Sequence, residues 1–216
     1  MNDFAQNEAL RKLSVPIGRR SIELWIPRQG EEPRDGRILF WWSVTSAAVA
    51  LAQHLDAMGD FAGHRVLELG CGMGLPGIAA GLLGAEVLLT DCVPRSLDFA
   101  AQNVRRNGLH ADRVQCLALD WEQPGDLAPF DFVIGAEIVY DYFYYGSLIR
   151  LLEHMVKPGG ILLLAERKRL AVSRFLGRMT DRGFACSERL RRVRLRGFPE
   201  QQISIFRLRH RKLPGP

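Results

Sequence analysis

Twelve consecutive residues, VLELGCGMGLPG from Val66 to Gly77, leave the backbone few choices. Val66, Leu67 and Leu69 suit a strand buried on both faces, with the carboxylate of Glu68 just ahead of its end. Gly70, Gly72 and Gly74 lack a Cβ, so φ can turn positive there and a ligand can lie against the main chain. Pro76 fits the first turn of a helix, where a missing N–H breaks no bond. The stretch reads as strand, glycine turn and helix, and the turn reads as a place of close ligand approach.

The chain downstream repeats that alternation. After the strand Arg65 to Leu69 and a helix from Leu75 to Leu83, strands are expected at Glu86 to Thr90, Val114 to Leu119, Phe130 to Ala136 and Ile161 to Ala165. Helices are expected from Pro94 to Asn107, through Leu148 to Met155 and from Ala171 to Asp181, with Gly84, Gly108 and Gly183 just past helix ends. Lys157 to Gly160 is expected as a tight turn. This pattern predicts an α/β fold with a doubly wound, mostly parallel sheet. Phe184 to Val193 and Gln202 to Leu208 flank an Arg-Gly-Phe-Pro turn and predict an antiparallel C-terminal hairpin.

Ahead of this core, Ser21 to Pro27 alternates polar and apolar residues and is expected to pair with Arg37 to Trp42 across the RQGEEPRDG loop. A helix follows from Thr45 to Met58, and residues 1–20 are expected to be partly mobile. The organisation expected is an N-terminal extension over 1–62, a core domain over 63–210 and a tail over 211–216.

A chain of 216 residues with 47% hydrophobic content can bury one substantial core. Its opening MNDFAQNEAL lacks the order of a signal peptide, and the apolar run near Ala47 to Ala52 is too short to span a bilayer. A soluble, cytoplasmic protein without membrane contact is expected. Cys71, Cys92, Cys116 and Cys186 form no CxxC pair and share no ligand spacing with histidine, which argues for reduced thiols and against a metal site. The net charge of +5 is unevenly spread: Arg167 to Lys212 carries fifteen Arg or Lys residues against three acids. That segment is a solvated face or a surface for nucleic acid or an acidic protein.

In an open α/β sheet, ligands bind beyond the carboxyl ends of the strands. Glu68 and the glycine turn, Asp91, Asp120 with Trp121, and Glu137 all fall at such ends. Gly72-x-Gly74-x-x-Gly77 with Asp91 downstream also matches the dinucleotide fingerprint, so a nicotinamide or flavin enzyme stands as an alternative. Against it, Glu68 puts a carboxylate where a pyrophosphate wants N–H donors, and suits a ligand that carries positive charge.

Taken together, Glu68-x-Gly70-x-Gly72-x-Gly74, Asp91 and Asp120-Trp121 resemble the motifs of the seven-β-strand methyltransferases that use S-adenosylmethionine. The resemblance covers roughly Arg37 to Leu208 and implies a seven-stranded Rossmann-like sheet, with S-adenosylhomocysteine as the spent cofactor. It implies that the glycine turn passes under the methionine part, that Asp91 binds the ribose hydroxyls and that Asp120 and Trp121 contact the adenine. Cys92 is a weaker contact candidate beside the adenosine.

A narrower resemblance lies in FDFVIGAEIVYD, Phe130 to Asp141, and in LFWWSVTSAAVALAQHL. These are similar to the subgroup that methylates protein lysines, whose fourth strand ends in Asp/Glu-x-x-Tyr/Phe, here Glu137-Ile138-Val139-Tyr140. The likeness implies that Trp41 lies near the cofactor, that Glu137 orients the acceptor amine and contacts the cofactor, and that Tyr140 forms an aromatic wall. Asp141 is a second candidate for holding the substrate cation. It implies a protein substrate. Small-molecule or RNA methylation and a non-catalytic binding module are the alternatives.

Overall fold

The computed structural model describes residues 10–27, 41–195 and 199–210. Its main sheet has seven strands in the order β5-β4-β3-β6-β7-β9-β8. They are β3 (Arg65–Leu69), β4 (Glu86–Asp91), β5 (Val114–Ala118), β6 (Phe130–Ala136), β7 (Val156–Glu166), β8 (Phe184–Val193) and β9 (Gln201–His210). The first five run parallel, and β9 enters antiparallel between β7 and β8. The strand order reverses at the β3/β6 boundary, so the ends of those two strands open a crevice where a ligand can enter.

Side chains alternate between two buried layers, as a strand dictates. Val66, Leu89, Ile134 and Ile205 join a core shared with α1 (Ser46–Met58), α2 (Leu75–Leu82) and α3 (Pro94–Arg106). Leu67, Leu69, Val133, Leu164 and Leu208 join a second core with α4 (Tyr145–Met155) and α5 (Leu170–Asp181). Most helix starts follow local chemistry. Thr45 caps α1 by accepting the Ala48 N–H at 3.1 Å, while Pro76 and Pro94 sit in the first turns of α2 and α3.

Two expectations change. Ser21 to Pro27 does lie in a strand, β2 (Arg20–Pro27), but it pairs with β1 (Leu10–Ile17) in a separate two-stranded sheet. Residues 10–17, read as part of a mobile segment, are therefore ordered by that pairing. Residues 37–40 of the proposed partner strand lie outside the described residues, and Trp41 and Trp42 form a turn. Lys157 to Gly160 interrupts β7 as an irregularity rather than preceding the strand: Phe130 pairs with Val156 while Phe132 pairs with Ile161.

The N-terminal sheet is fastened to the core by two asparagines of and just after α3. The fully buried Asn103 accepts the Trp25 N–H at 2.8 Å and donates to the Met73 carbonyl at 3.2 Å, linking the extension to the glycine turn. Asn107 likewise exchanges bonds with the main chain of Glu23. Among the described residues, no helix is long and apolar enough to cross a membrane.

Candidate active site

A cavity of about 560 Å³ opens at the carboxyl ends of β3, β4 and β6, a size suited to a cofactor-sized ligand. Its lining includes Trp41, Glu68, Gly70, Gly72, Asp91, Cys92, Asp120, Trp121, Glu137 and Tyr140. Gly74 adopts φ +82 at the head of α2, behind this wall. Asp141 is not among the lining residues.

The glycine turn is shaped by what passes beneath it. Gly72 has φ +49, and a Cβ there would sit 3.0 Å from the carbonyl oxygen of Trp41. Only glycine fits that approach easily. Gly70, with φ +63, leaves room for Ile138, whose side chain also fills the space a Cβ on Gly135 would take. The glycine turn and the strand-end turn after β6 therefore pack directly on each other.

Asp91 is 8% exposed and holds the turn from the neighbouring strand. Oδ2 accepts the Gly72 N–H and Oδ1 the Val93 N–H, each at 3.0 Å. Burial pushes its carboxyl up, and these N–H donors oppose the rise. The Ser96 hydroxyl and the Cys92 N–H also approach this carboxylate, which lines the cavity.

Glu68 lines the cavity and is also bonded within the turn. Its Oε2 accepts the Gly77 N–H at 2.8 Å, satisfying an orphan donor in the first turn of α2. That donor is therefore engaged and not open to a pyrophosphate. Burial, with the Asp91 charge nearby, raises Glu68 to about 8. The folded chain thus holds this proton from the ordinary 4.5 up to about 8, where an unfolded glutamate has lost it. Through that window the native state binds more protons, so this group's contribution to stability falls as pH rises. Glu68→Gln is expected to flatten the corresponding fall in Tm between about pH 5 and 8. An unchanged slope would exclude Glu68 as its source.

On the opposite wall, Glu137 has φ +57, the one positive-φ non-glycine residue among those described. Such a backbone costs about 1–3 kcal/mol and persists only where its surroundings impose it. Its carboxylate is engaged by two guanidiniums: Arg167 through Nε at 3.0 Å and Nη2 at 3.2 Å, and Arg169 through Nη2 at 2.9 Å. Glu137 is therefore paired within the protein rather than bare. Tyr140 is 47% exposed at the mouth, its hydroxyl pushed up to about 12 by burial first and by nearby acids. Trp121 meets Tyr144 edge-on, with ring centres 6.3 Å apart. Asp120 faces the cavity and accepts the Glu122 N–H at 2.9 Å. Asp141 caps the short 3₁₀ turn Tyr142–Tyr144 by accepting the Phe143 N–H at 2.9 Å.

Sequence reasoning missed Arg167 and Arg169, which line the cavity, and Glu166 behind them. All three lie at or just beyond the end of β7, so the strand-end rule that found Asp91 also points to them.

The lysine methyltransferase family profile matches residues 20–182. Protein N-lysine methyltransferase METTL21A of Danio rerio is 41% identical over 133 residues, covering 58% of this chain and 60% of that protein. EEF1A lysine methyltransferase 3 of Mus musculus is 31% identical over 175 residues, covering 79% of this chain and 72% of that protein. The chain thus spans less than two thirds of the first relative and somewhat more of the second. In fold it is similar to magnesium protoporphyrin IX methyltransferase from Synechocystis, with TM-score 0.60, 20% identity, and 81% and 86% of the two chains covered. A profile that matches well over half the residues, with the mouse relative aligned across most of the chain, places this protein in the lysine methyltransferase family.

Proposed function

We propose that the chain transfers a methyl group from S-adenosylmethionine to the side-chain nitrogen of a lysine in a protein substrate. The observation that carries this reading is the division of one cavity into two walls. The glycine turn with Asp91 forms one, and the Glu137-x-x-Tyr140 turn with exposed aromatic residues forms the other. The relatives' names support lysine as the acceptor.

The residues fit the cofactor. Asp91 would take the ribose hydroxyls, Asp120 and Trp121 the adenine, and the main chain of Gly70 to Gly72 the methionine part. Bound there, the cofactor supplies an electrophilic methyl on a sulfonium. The chain's own task is to present a neutral amine in line and keep water out. Tyr140 stays a neutral phenol at physiological pH, and it and Tyr144 offer ring faces to an alkyl ammonium or amine. Arg167 and Arg169 together offset Glu137 and Glu166, so the local charge does not favour a retained lysine proton. Glu137 can engage the amine when Arg167, 55% exposed, turns away.

We infer a cytoplasmic setting, supported by four cysteines none of which is in a disulfide. A second reading, RNA as the acceptor, is favoured by Arg189, Arg191, Arg207 and Arg209, whose register puts them on one face of the β8–β9 hairpin. Labelled methyl transfer into a cell lysate separates the two. Transfer to protein bands, with a rate that changes little with salt, is expected. Transfer to RNA that weakens about as the power of several phosphate contacts would replace the lysine reading. Glu137→Ala is expected to lower protein labelling at least about a hundredfold with S-adenosylhomocysteine affinity retained. Full labelling would exclude Glu137.

A further inference from the structure

Glu166 ends β7 with its side chain completely buried. Its Oε1 accepts two main-chain donors, the N–H groups of Ile138 and Val139, both at 2.9 Å. Its Oε2 accepts Arg169 Nη2 at 2.8 Å, and that same nitrogen lies 2.9 Å from Glu137 Oε2. One guanidinium nitrogen thus joins two carboxylates, and Arg167 holds the far side of Glu137. The main chain repeats the link, since the Glu137 N–H bonds to the Ala165 carbonyl at 2.9 Å.

A buried ionised carboxylate is costly to place when neutral groups could satisfy two N–H donors equally well. What a neutral acceptor cannot do is also fix Arg169 and, through it, the orientation of Glu137. Glu137 cannot relax by itself, because its positive φ is imposed by bonds on either side. The two acids and two bases of the cluster balance, so the turn keeps its form before any substrate arrives. Burial, with the Glu137 charge, raises Glu166 to about 7, while the Val139 N–H and Arg169 pull it down.

We propose that Glu166, acting through Arg169, is the positioning residue of the acceptor wall, holding the 137–140 turn in its strained form and aiming the Glu137 carboxylate at the cavity. This rests on reading that turn as the acceptor site. Glu166 touches neither substrate nor cofactor in this role.

Glu166→Gln provides the test. Its amide oxygen can still accept from Ile138 and Val139, but its NH₂ group turns a donor toward Arg169 and breaks the shared nitrogen link. The expected result is an apparent kcat for labelled methyl transfer to lysate protein that falls at least about tenfold. Apparent KM for S-adenosylmethionine and calorimetric affinity for S-adenosylhomocysteine should stay within about twofold of wild type. A folded variant with unchanged kcat would overturn the proposal. So would a loss of kcat matched by equal losses of cofactor affinity and Tm, which would make Glu166 a residue of the fold alone. Hydrogen exchange on Glu166→Gln, which keeps an acceptor for the Ile138 and Val139 N–H groups, provides a readout independent of the methyl acceptor. Faster exchange confined to 137–141 supports the positioning role, and unchanged exchange there overturns it. If wild type labels no protein at all, the lysine reading fails while the exchange result still decides the role of Glu166.

Discussion

Asp91→Ala is expected to weaken S-adenosylhomocysteine binding by at least about a hundredfold in calorimetry. Two ribose hydroxyls donating to a carboxylate are worth roughly 1.5–3 kcal/mol each, and every 1.4 kcal/mol is about tenfold in affinity. The substitution also orphans the N–H groups of Gly72 and Val93, which now bond to the two Asp91 oxygens. The glycine turn would lose one of its bonds to β4, keeping the Cys71 N–H to Thr90 carbonyl bond. Asp91→Asn keeps the shape and one acceptor oxygen, so its affinity should fall between wild type and alanine. Unchanged affinity in a folded Asp91→Ala protein would refute the ribose role.

The second large effect is expected at Gly77, where no ligand need be present. A Cβ there would lie 2.1 Å from Leu89 Cδ2 and 2.6 Å from Glu68 Oε2. Leu89 is fully buried and has nowhere to move. Overpacking of this kind costs about 1–3 kcal/mol, and disturbing the Glu68 to Gly77 bond adds about 1–3 more. The gain in helix propensity from alanine is at most about 1 kcal/mol and does not offset that. For a chain of this size each kcal/mol moves Tm by about 2–4 °C, so Gly77→Ala should lower Tm by about 5–15 °C. Gly177→Ala makes the contrast: it lies within α5 with nothing inside 4 Å of the added methyl, and Tm should rise slightly. Equal Tm values for the two variants would show that the contacts around Gly77 do not resist the methyl.

The third glycine of the apparent dinucleotide motif is therefore explained by packing. The sequence shows a glycine at that spacing but not the reason for it, because Leu89 and Glu68 reach Gly77 from neighbouring strands. The core elements were legible for the opposite reason. Their boundaries rest on local chemistry: Pro76 and Pro94 open helices, and Gly84, Gly108 and Gly183 follow helix ends with positive φ. β1 was hidden because LRKLSVPI mixes charges and a proline with its apolar positions. A two-stranded edge sheet tolerates that composition, and only its pairing with β2 makes it a strand.

The site divides along the same line. Asp91 and Asp120 follow from the strand-end rule applied to single residues. Asp141 comes from its place beside the Glu137-x-x-Tyr140 motif, and the motif does not show that an acid two residues before a 3₁₀ turn's second N–H also serves as its cap. Glu137 falls at a strand end, and the same rule applied to β7 points to Arg167 and Arg169, but not to their pairing with Glu137 thirty residues earlier. Glu166 looked like the polar end of the apolar run ILLLA, and nothing local reveals that its carboxylate is buried under the turn of another strand.

The carbonyl of Trp41 beneath Gly72, and Asn103 bridging Trp25 to Met73, bear on how such a chain can diverge. A segment that forms the floor of the glycine turn cannot be exchanged among relatives as a free cassette. Its backbone path and the glycines above it must change together or stay together. A substitution that displaces the N-terminal strap would therefore disturb the glycine turn as well, whereas one at the exposed rings of Tyr142 or Phe143 would leave that turn untouched.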